Sequence, residues 1–230
     1  MTIERFANAD ALADAAAAEI FDSLRNAISA RGQAFFVATG GRTPGSVYDR
    51  LSAAPLDWSK VVVTLTDERW VGVGDPDSNE GLIRERLMHG PAGAAQVLSL
   101  KGGAPTPEAA AREASAALGR LGAPDMVLLG MGEDGHIASL FPGNRALSQG
   151  LDPRAAPCLA VPLGEGRPPV QARLSLSIAW LATAKATVLL ITGTAKLKVI
   201  EQAMAGSDIE EFPVRAILQR APRVRILWAA

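Results

Sequence analysis

Cysteine and histidine are scarce in this chain of 230 residues: there is one cysteine, Cys158, and there are two histidines, His89 and His136. A single cysteine excludes an internal disulfide, and a usual zinc set would need several carboxylates to complete it. No metal and no organic cofactor is expected, and Cys158 reads as core packing. Excess charge of either sign is also missing, since 23 Lys and Arg face 24 Asp and Glu for a net charge of −1. Such a surface offers no broad electrostatic footprint for nucleic acid or an anionic membrane. Any anionic ligand must therefore be bound locally. No apolar run approaches the roughly 20 residues that span a bilayer. The opening stretch MTIERFANADALADAAAAEI carries acids within its alanine-rich part and lacks a basic start followed by an apolar core, so it does not read as a signal peptide. A cytoplasmic protein is expected, without membrane or nucleic-acid partners, and a monomer is favoured.

What the chain has is hydrophobic residues, 48% of the total, enough for a substantial core in one α/β domain over residues 1–230. From Asp10 to about Ala30 apolar residues recur at helical spacing through Leu12, Ala16, Ile20, Leu24 and Ile28, with Asp10 as the expected N-cap and Gly32 just past the end. Ala34 to Ala38 is then a short continuous apolar run ending in glycines, the pattern of a buried parallel strand. Similar runs recur at Val61–Leu65, Met126–Leu129 and Thr187–Ile191, and more weakly near Val224 to Trp228. Helical patterns lie between them over Pro44 to Leu51, Asn79 to Met88, Pro107 to Leu121 and Ala195 to Ala205. The alternation predicts a Rossmann-like, mostly parallel sheet with helices on both faces. Leu163 to Val170 reads as a Gly/Pro loop short enough to stay within the domain.

Ligands of open α/β sheets gather outside the carboxyl ends of strands, and four such junctions are polar here. After the first run, Gly40-Gly41-Arg42-Thr43-Pro44 offers flexible glycines, Thr43 as the expected N-cap and Pro44 as the expected first helical residue. Free N–H groups and the positive end of the helix dipole would suit a phosphate there; an ordinary strand-to-helix turn is the plain alternative. After the fourth, Lys196 falls in the first turn of a helix, where its charge opposes the dipole unless an anion is near. The third junction matches GxGxxG through Gly130, Gly132 and Gly135, but it lies mid-chain and lacks a suitable strand-end acid about 20 residues on, so a dinucleotide site is disfavoured. His136, two residues from Asp134, is the candidate general base, because histidine alone titrates near neutrality without a large shift. His89, at the end of a polar helix, carries little expectation of function. Asp67-Glu68-Arg69 is either a strand-end charge cluster or a means of orienting a base and receiving an acidic ligand.

Taken in order, GGRTP, TDERWVGVGDPDSN, GMGEDGHIASLFPG, RLSLS and GTAK resemble the 6-phosphogluconolactonase family over about residues 35 to 200. That resemblance implies a Rossmann-like fold and hydrolysis of a sugar-phosphate lactone, 6-phosphoglucono-δ-lactone, in the oxidative pentose phosphate pathway. It implies that Gly40, Gly41 and Thr43 form a phosphate loop, that Arg69, Arg173 and Lys196 hold the phosphate or acid end, and that His136 is the base, with Asp134 or Asp67 orienting it. Arg42 stands where the family's loop more often has serine, and either points away or adds a phosphate contact. Glucosamine-6-phosphate deaminases share the loop and the DGH turn. Their glutamate after that turn is matched here by Phe141, and their tyrosine after Asp-Glu by Arg69, so the lactonase pattern is the better fit. A sugar-phosphate sensor without catalysis would keep the anion loop but have little need for His136.

Overall fold

Runs of Val, Ile, Leu and Phe without polar interruption can lie only where both faces of a sheet are covered. The computed structural model describes residues 2–164 and 168–230. Its strands in chain order are β1 Ile3–Phe6, β2 Ala34–Ala38, β3 Val61–Leu65, β4 Asp67–Arg69, β5 Gln96–Val97, β6 Met126–Leu129, β7 Cys158–Val161, β8 Arg173–Leu176, β9 Thr187–Thr192 and β10 Val224–Ala229. The helices are α1 Ala9–Arg31, α2 Arg42–Ser52, α3 Asn79–Arg86, α4 Pro107–Leu121, α5 Leu147–Leu151, α6 Ile178–Leu181, α7 Thr194–Ala205 and α8 Val214–Arg220.

Seven strands form one sheet in the order β1-β10-β9-β6-β2-β3-β5, and every pairing in it is parallel. Helices cover both faces, as the alternating pattern predicts. From β2 the chain winds through β3 to β5, and from β6 it winds the other way through β9 to β10, so the direction reverses between the neighbours β2 and β6. That reversal opens a crevice at their carboxyl ends. All residues of β2 and β6 are buried, and each large apolar side chain so buried contributes about 1.5–3 kcal/mol. Tyr48 of α2, itself fully buried, ties the end of β2 to the helix layer: its hydroxyl donates to the Thr39 carbonyl at 2.5 Å and accepts from the Thr39 N–H at 2.9 Å. Burial raises the phenol's pKa above its ordinary value, so the clasp keeps its proton.

Three expectations change. Asn8, not Asp10, caps α1, its side chain accepting from the Ala11 N–H at 2.9 Å; the chain is still extended at Asn8 when it leaves β1, and Asp10 falls in the first turn. The second helix begins at Arg42 with Gly41 in the capping position, so Thr43 is not the cap. Its hydroxyl instead lies 3.2 Å from that of Thr192, joining the start of α2 to the end of β9. A separate antiparallel sheet of three strands, β4-β8-β7, was not anticipated and carries part of the crevice wall. It is joined to the main sheet where the Leu176 N–H donates to the Thr66 carbonyl at 2.8 Å. Within the loop expected over 163–170, residues 165–167 lie outside the described residues. Cys158 is buried in β7, as packing requires, and desolvation pushes its thiol up to about 12. No helix among the described residues is long and apolar enough to cross a membrane.

Candidate active site

The crevice at the reversal point receives residues from all four polar junctions. After β2 come Gly40, Gly41, Arg42 and Thr43; β4 contributes Asp67 and Arg69; the turn after β6 contributes Gly132 and His136; and α7 contributes Lys196. Arg173 of β8 and Asn79 of α3 complete the wall. Arg42 is among the residues that line the crevice. Exposed His89 is not part of the lining.

One end of the crevice is built from two helix starts. Among the described helices of eight residues or more, α1, α3 and α4 are capped by the side chains of Asn8, Ser78 and Thr106. The helices α2 and α7 have no side-chain cap, and both begin after a glycine at positive φ, 113° at Gly41 and 83° at Gly193. Only glycine adopts these angles without strain. The first N–H groups of α2 and α7 are thus left for a ligand, at the positive ends of the two dipoles. Lys196, in the first turn of α7, adds a positive charge at the same end. The arrangement suits a phosphate.

A second cationic feature comes from the small sheet. Arg69 and Arg173 are cross-strand partners on β4 and β8, an arrangement of like charges that is unfavourable by itself. Arg69 Nη1 donates to the Asp77 carbonyl at 2.5 Å. Arg173 Nη1 donates to Ser139 Oγ at 3.4 Å and lies 3.7 Å from Asp67 Oδ2. The Nε of each arginine is buried with no hydrogen-bond partner among the described residues. Burial lowers the pKa of Arg173, Asp67 opposes that shift, and Arg69 reinforces it. An anion or a carbonyl oxygen gaining charge beside the two guanidinium groups would relieve the repulsion.

The candidate base sits on a turn that needs its glycines. Gly132 N–H donates to the His136 carbonyl at 2.9 Å, and Gly135 takes φ of 75°. A Cβ on Gly132 would stand 2.2 Å from the imidazole, and one on Gly135 would stand 2.4 Å from the Phe212 ring. Asp134 Oδ1 accepts from the His136 backbone N–H at 3.1 Å and lies 2.5 Å from Nδ1. With a carboxylate as acceptor, Nδ1 carries the proton and Nε2 is left with a free lone pair. Of the two acids expected to orient the imidazole, Asp134 is the one in contact. Asp67 is engaged elsewhere, accepting from Ser139 Oγ at 2.6 Å and Thr66 Oγ1 at 3.0 Å.

Partial burial pulls the Asp134 carboxyl upward, but the hydrogen bond and charge of His136 outweigh it, and the net pKa is below the ordinary value. A depressed folded-state pKa stabilises the protein at neutral pH, and that increment is lost as pH falls through the depressed value. Asp134→Asn is therefore expected to flatten the dependence of the melting temperature on pH below the usual carboxylate range. Melts recorded across that range check it; an acid limb identical to that of the unsubstituted protein contradicts it.

Two residues under the crevice escaped the sequence reading of their roles. Glu68 is fully buried, and its carboxylate accepts from the backbone N–H groups of Arg69 at 2.7 Å, Asn79 at 2.8 Å and Glu80 at 2.8 Å and from Ser78 Oγ at 2.9 Å. Lys101 Nζ stands 3.8 Å away. This clamp holds the start of α3, from which the Asn79 amide donates to the Asp67 carbonyl at 2.9 Å. Asn79 also presses on the backbone after β2: a Cβ on Gly40 would lie 1.9 Å from its Oδ1. Glu68→Gln puts an NH₂ donor among these donors and is expected to cost about 1–3 kcal/mol of unfolding free energy. Chemical denaturation reads the loss; an unchanged midpoint would mean that the clamp is not under load.

Two uncapped helix starts, an arginine pair and an imidazole held by a carboxylate thus lie together at the reversal point of a parallel, Rossmann-like sheet. Comparison with known proteins gives the family. The chain belongs to the glucosamine-6-phosphate isomerase/6-phosphogluconolactonase family, whose model matches residues 7–228. It is 44% identical over 230 residues to a 6-phosphogluconolactonase of Caulobacter vibrioides, covering 99% of this chain and 97% of that one. It is 44% identical over 214 residues to a 6-phosphogluconolactonase of Pseudomonas aeruginosa, covering 92% and 88%. A crystal structure of a 6-phosphogluconolactonase from Shewanella baltica superposes with a TM-score of 0.94 at 36% identity, covering 100% of this chain and 98% of that one.

Proposed function

We propose that residues 1–230 form a single cytoplasmic lactonase domain that hydrolyses 6-phosphoglucono-δ-lactone to 6-phosphogluconate. The observation that carries this reading is the placement of an imidazole with a free Nε2 in the same crevice as two uncapped helix starts and an arginine pair. The relatives' shared name supports the same substrate. The phosphate is received by the N–H groups of α2 and α7, with Thr43, Arg42 and Lys196 around it. Anchoring that end brings the lactone carbonyl beside the base, so that binding supplies much of the rate through proximity.

His136 Nε2 takes a proton from water as the water oxygen bonds to C1, and Asp134 stabilises the imidazolium that forms. The carbonyl oxygen gains negative charge, which the guanidinium groups of Arg69 and Arg173 on the crevice wall offset. Collapse of the tetrahedral intermediate breaks the bond between C1 and the ring oxygen. The proton on Nε2 passes to that oxygen, leaving a C5 hydroxyl and a C1 carboxylic acid that ionises to solvent. His136 returns to its starting state. Supplying purified protein with the lactone and, separately, with glucosamine 6-phosphate tests the assignment. Turnover of the first alone is expected, whereas turnover of the second alone would reverse it in favour of ring-opening isomerisation.

A further inference from the structure

Phe141 is buried beneath the crevice and takes no part in the chemistry above, yet its ring touches two groups that do. Its centroid lies 4.2 Å from that of the His136 imidazole, at an interplanar angle of 39°. The Arg173 guanidinium carbon lies 5.2 Å from the same centroid, within the range of a cation–π contact. The other holds on Arg173 are long, 3.4 Å to Ser139 Oγ and 3.7 Å to Asp67 Oδ2, and its Nε has no partner among the described residues. Such a guanidinium is weakly tethered by hydrogen bonds alone.

The phenyl ring, by contrast, is held on a rigid segment. Two residues earlier in the chain, Ser139 is fixed by the Ser175 hydroxyl, which accepts from its N–H at 3.1 Å, and by its own donation to Asp67 at 2.6 Å. On the other side the Phe141 carbonyl accepts from the Asn144 N–H at 3.1 Å, closing a turn. We propose that Phe141 is a positioning residue whose ring face fixes the Arg173 guanidinium relative to the His136 imidazole, so that base and charge acceptor act on one carbonyl. The inference rests on the lactonase reading and deepens it.

The test keeps the ring's shape and changes only its charge distribution. Mono-, di- and trifluorophenylalanine are placed at position 141, first with Arg173 intact and then with Arg173→Met. Fluorination drains the negative face that attracts a cation. With Arg173 intact, kcat/KM for the lactone is expected to fall stepwise, to about a tenth with three fluorines, while the melting temperature holds; with Arg173→Met the series is expected to be flat within about twofold. A flat series with Arg173 intact, or an equal slope in both, overturns the role of Phe141 although the unsubstituted protein is active. If the unsubstituted protein leaves the lactone at its background rate, the functional reading itself fails and the inference falls with it.

Discussion

Replacing His136 with alanine is expected to lower kcat for the lactone by about 10²–10⁴-fold, the usual range for a lost general acid–base, while KM changes little. The imidazole is held through Nδ1 by Asp134, which leaves Nε2 free, and among the described residues no other histidine lines the crevice. In the proposed binding mode the phosphate lies on the starts of α2 and α7 with Lys196, while His136 acts at the carbonyl end. Affinity for 6-phosphogluconate, measured by calorimetry, should therefore survive the substitution. Unchanged turnover in His136→Ala would refute the assigned base. Loss of both turnover and product affinity would place the residue in binding instead.

Lys196→Ala is expected to show the opposite division. A charge-assisted contact to phosphate is worth about 1.5–3 kcal/mol, so KM should rise by about 10- to 100-fold and kcat should change far less. Removing the lysine also relieves its conflict with the α7 dipole, so the fold should be as stable as before or slightly more so. Steady-state kinetics with and without high salt check this, since a phosphate contact weakens with ionic strength. A fall in kcat at constant KM would move Lys196 to the reacting end of the ligand.

The central sheet was legible because its strands are short apolar runs that need no partner to be recognised: β2, β3 and β6 fall at their expected limits. The small sheet was not, because β4 has three residues and β8 and β7 have four. Strands so short depend on cross-strand pairing, which is set by the tertiary fold. The alternation in Arg173-Leu174-Ser175-Leu176 was the available signal. β1 was missed for a similar reason, its four residues, three half-buried and one exposed, pairing with β10 at the sheet edge.

At the site, residue types told more than their arrangement. The strand-end rule brought Gly41, Arg69, His136 and Lys196 to one crevice before any coordinates. It could not separate Asp134 from Asp67, since that choice depends on which carboxylate Ser139, distant in sequence from Asp67, occupies. Nor could it find the inward turn of Glu68, whose partners Ser78, Asn79 and Glu80 come from the next helix. The start of α2 was misjudged because threonine followed by proline reads as a helix entry. Glycine at φ 113° makes the turn two residues earlier and leaves the N–H groups of the first turn uncapped.

The most direct measurement is the decay of freshly generated 6-phosphoglucono-δ-lactone with and without the purified protein, corrected for spontaneous hydrolysis, with a chelator in a parallel series. Acceleration proportional to protein concentration and unaffected by the chelator is predicted. Decay at the background rate, or acceleration that the chelator abolishes, would contradict hydrolysis driven by the imidazole of His136.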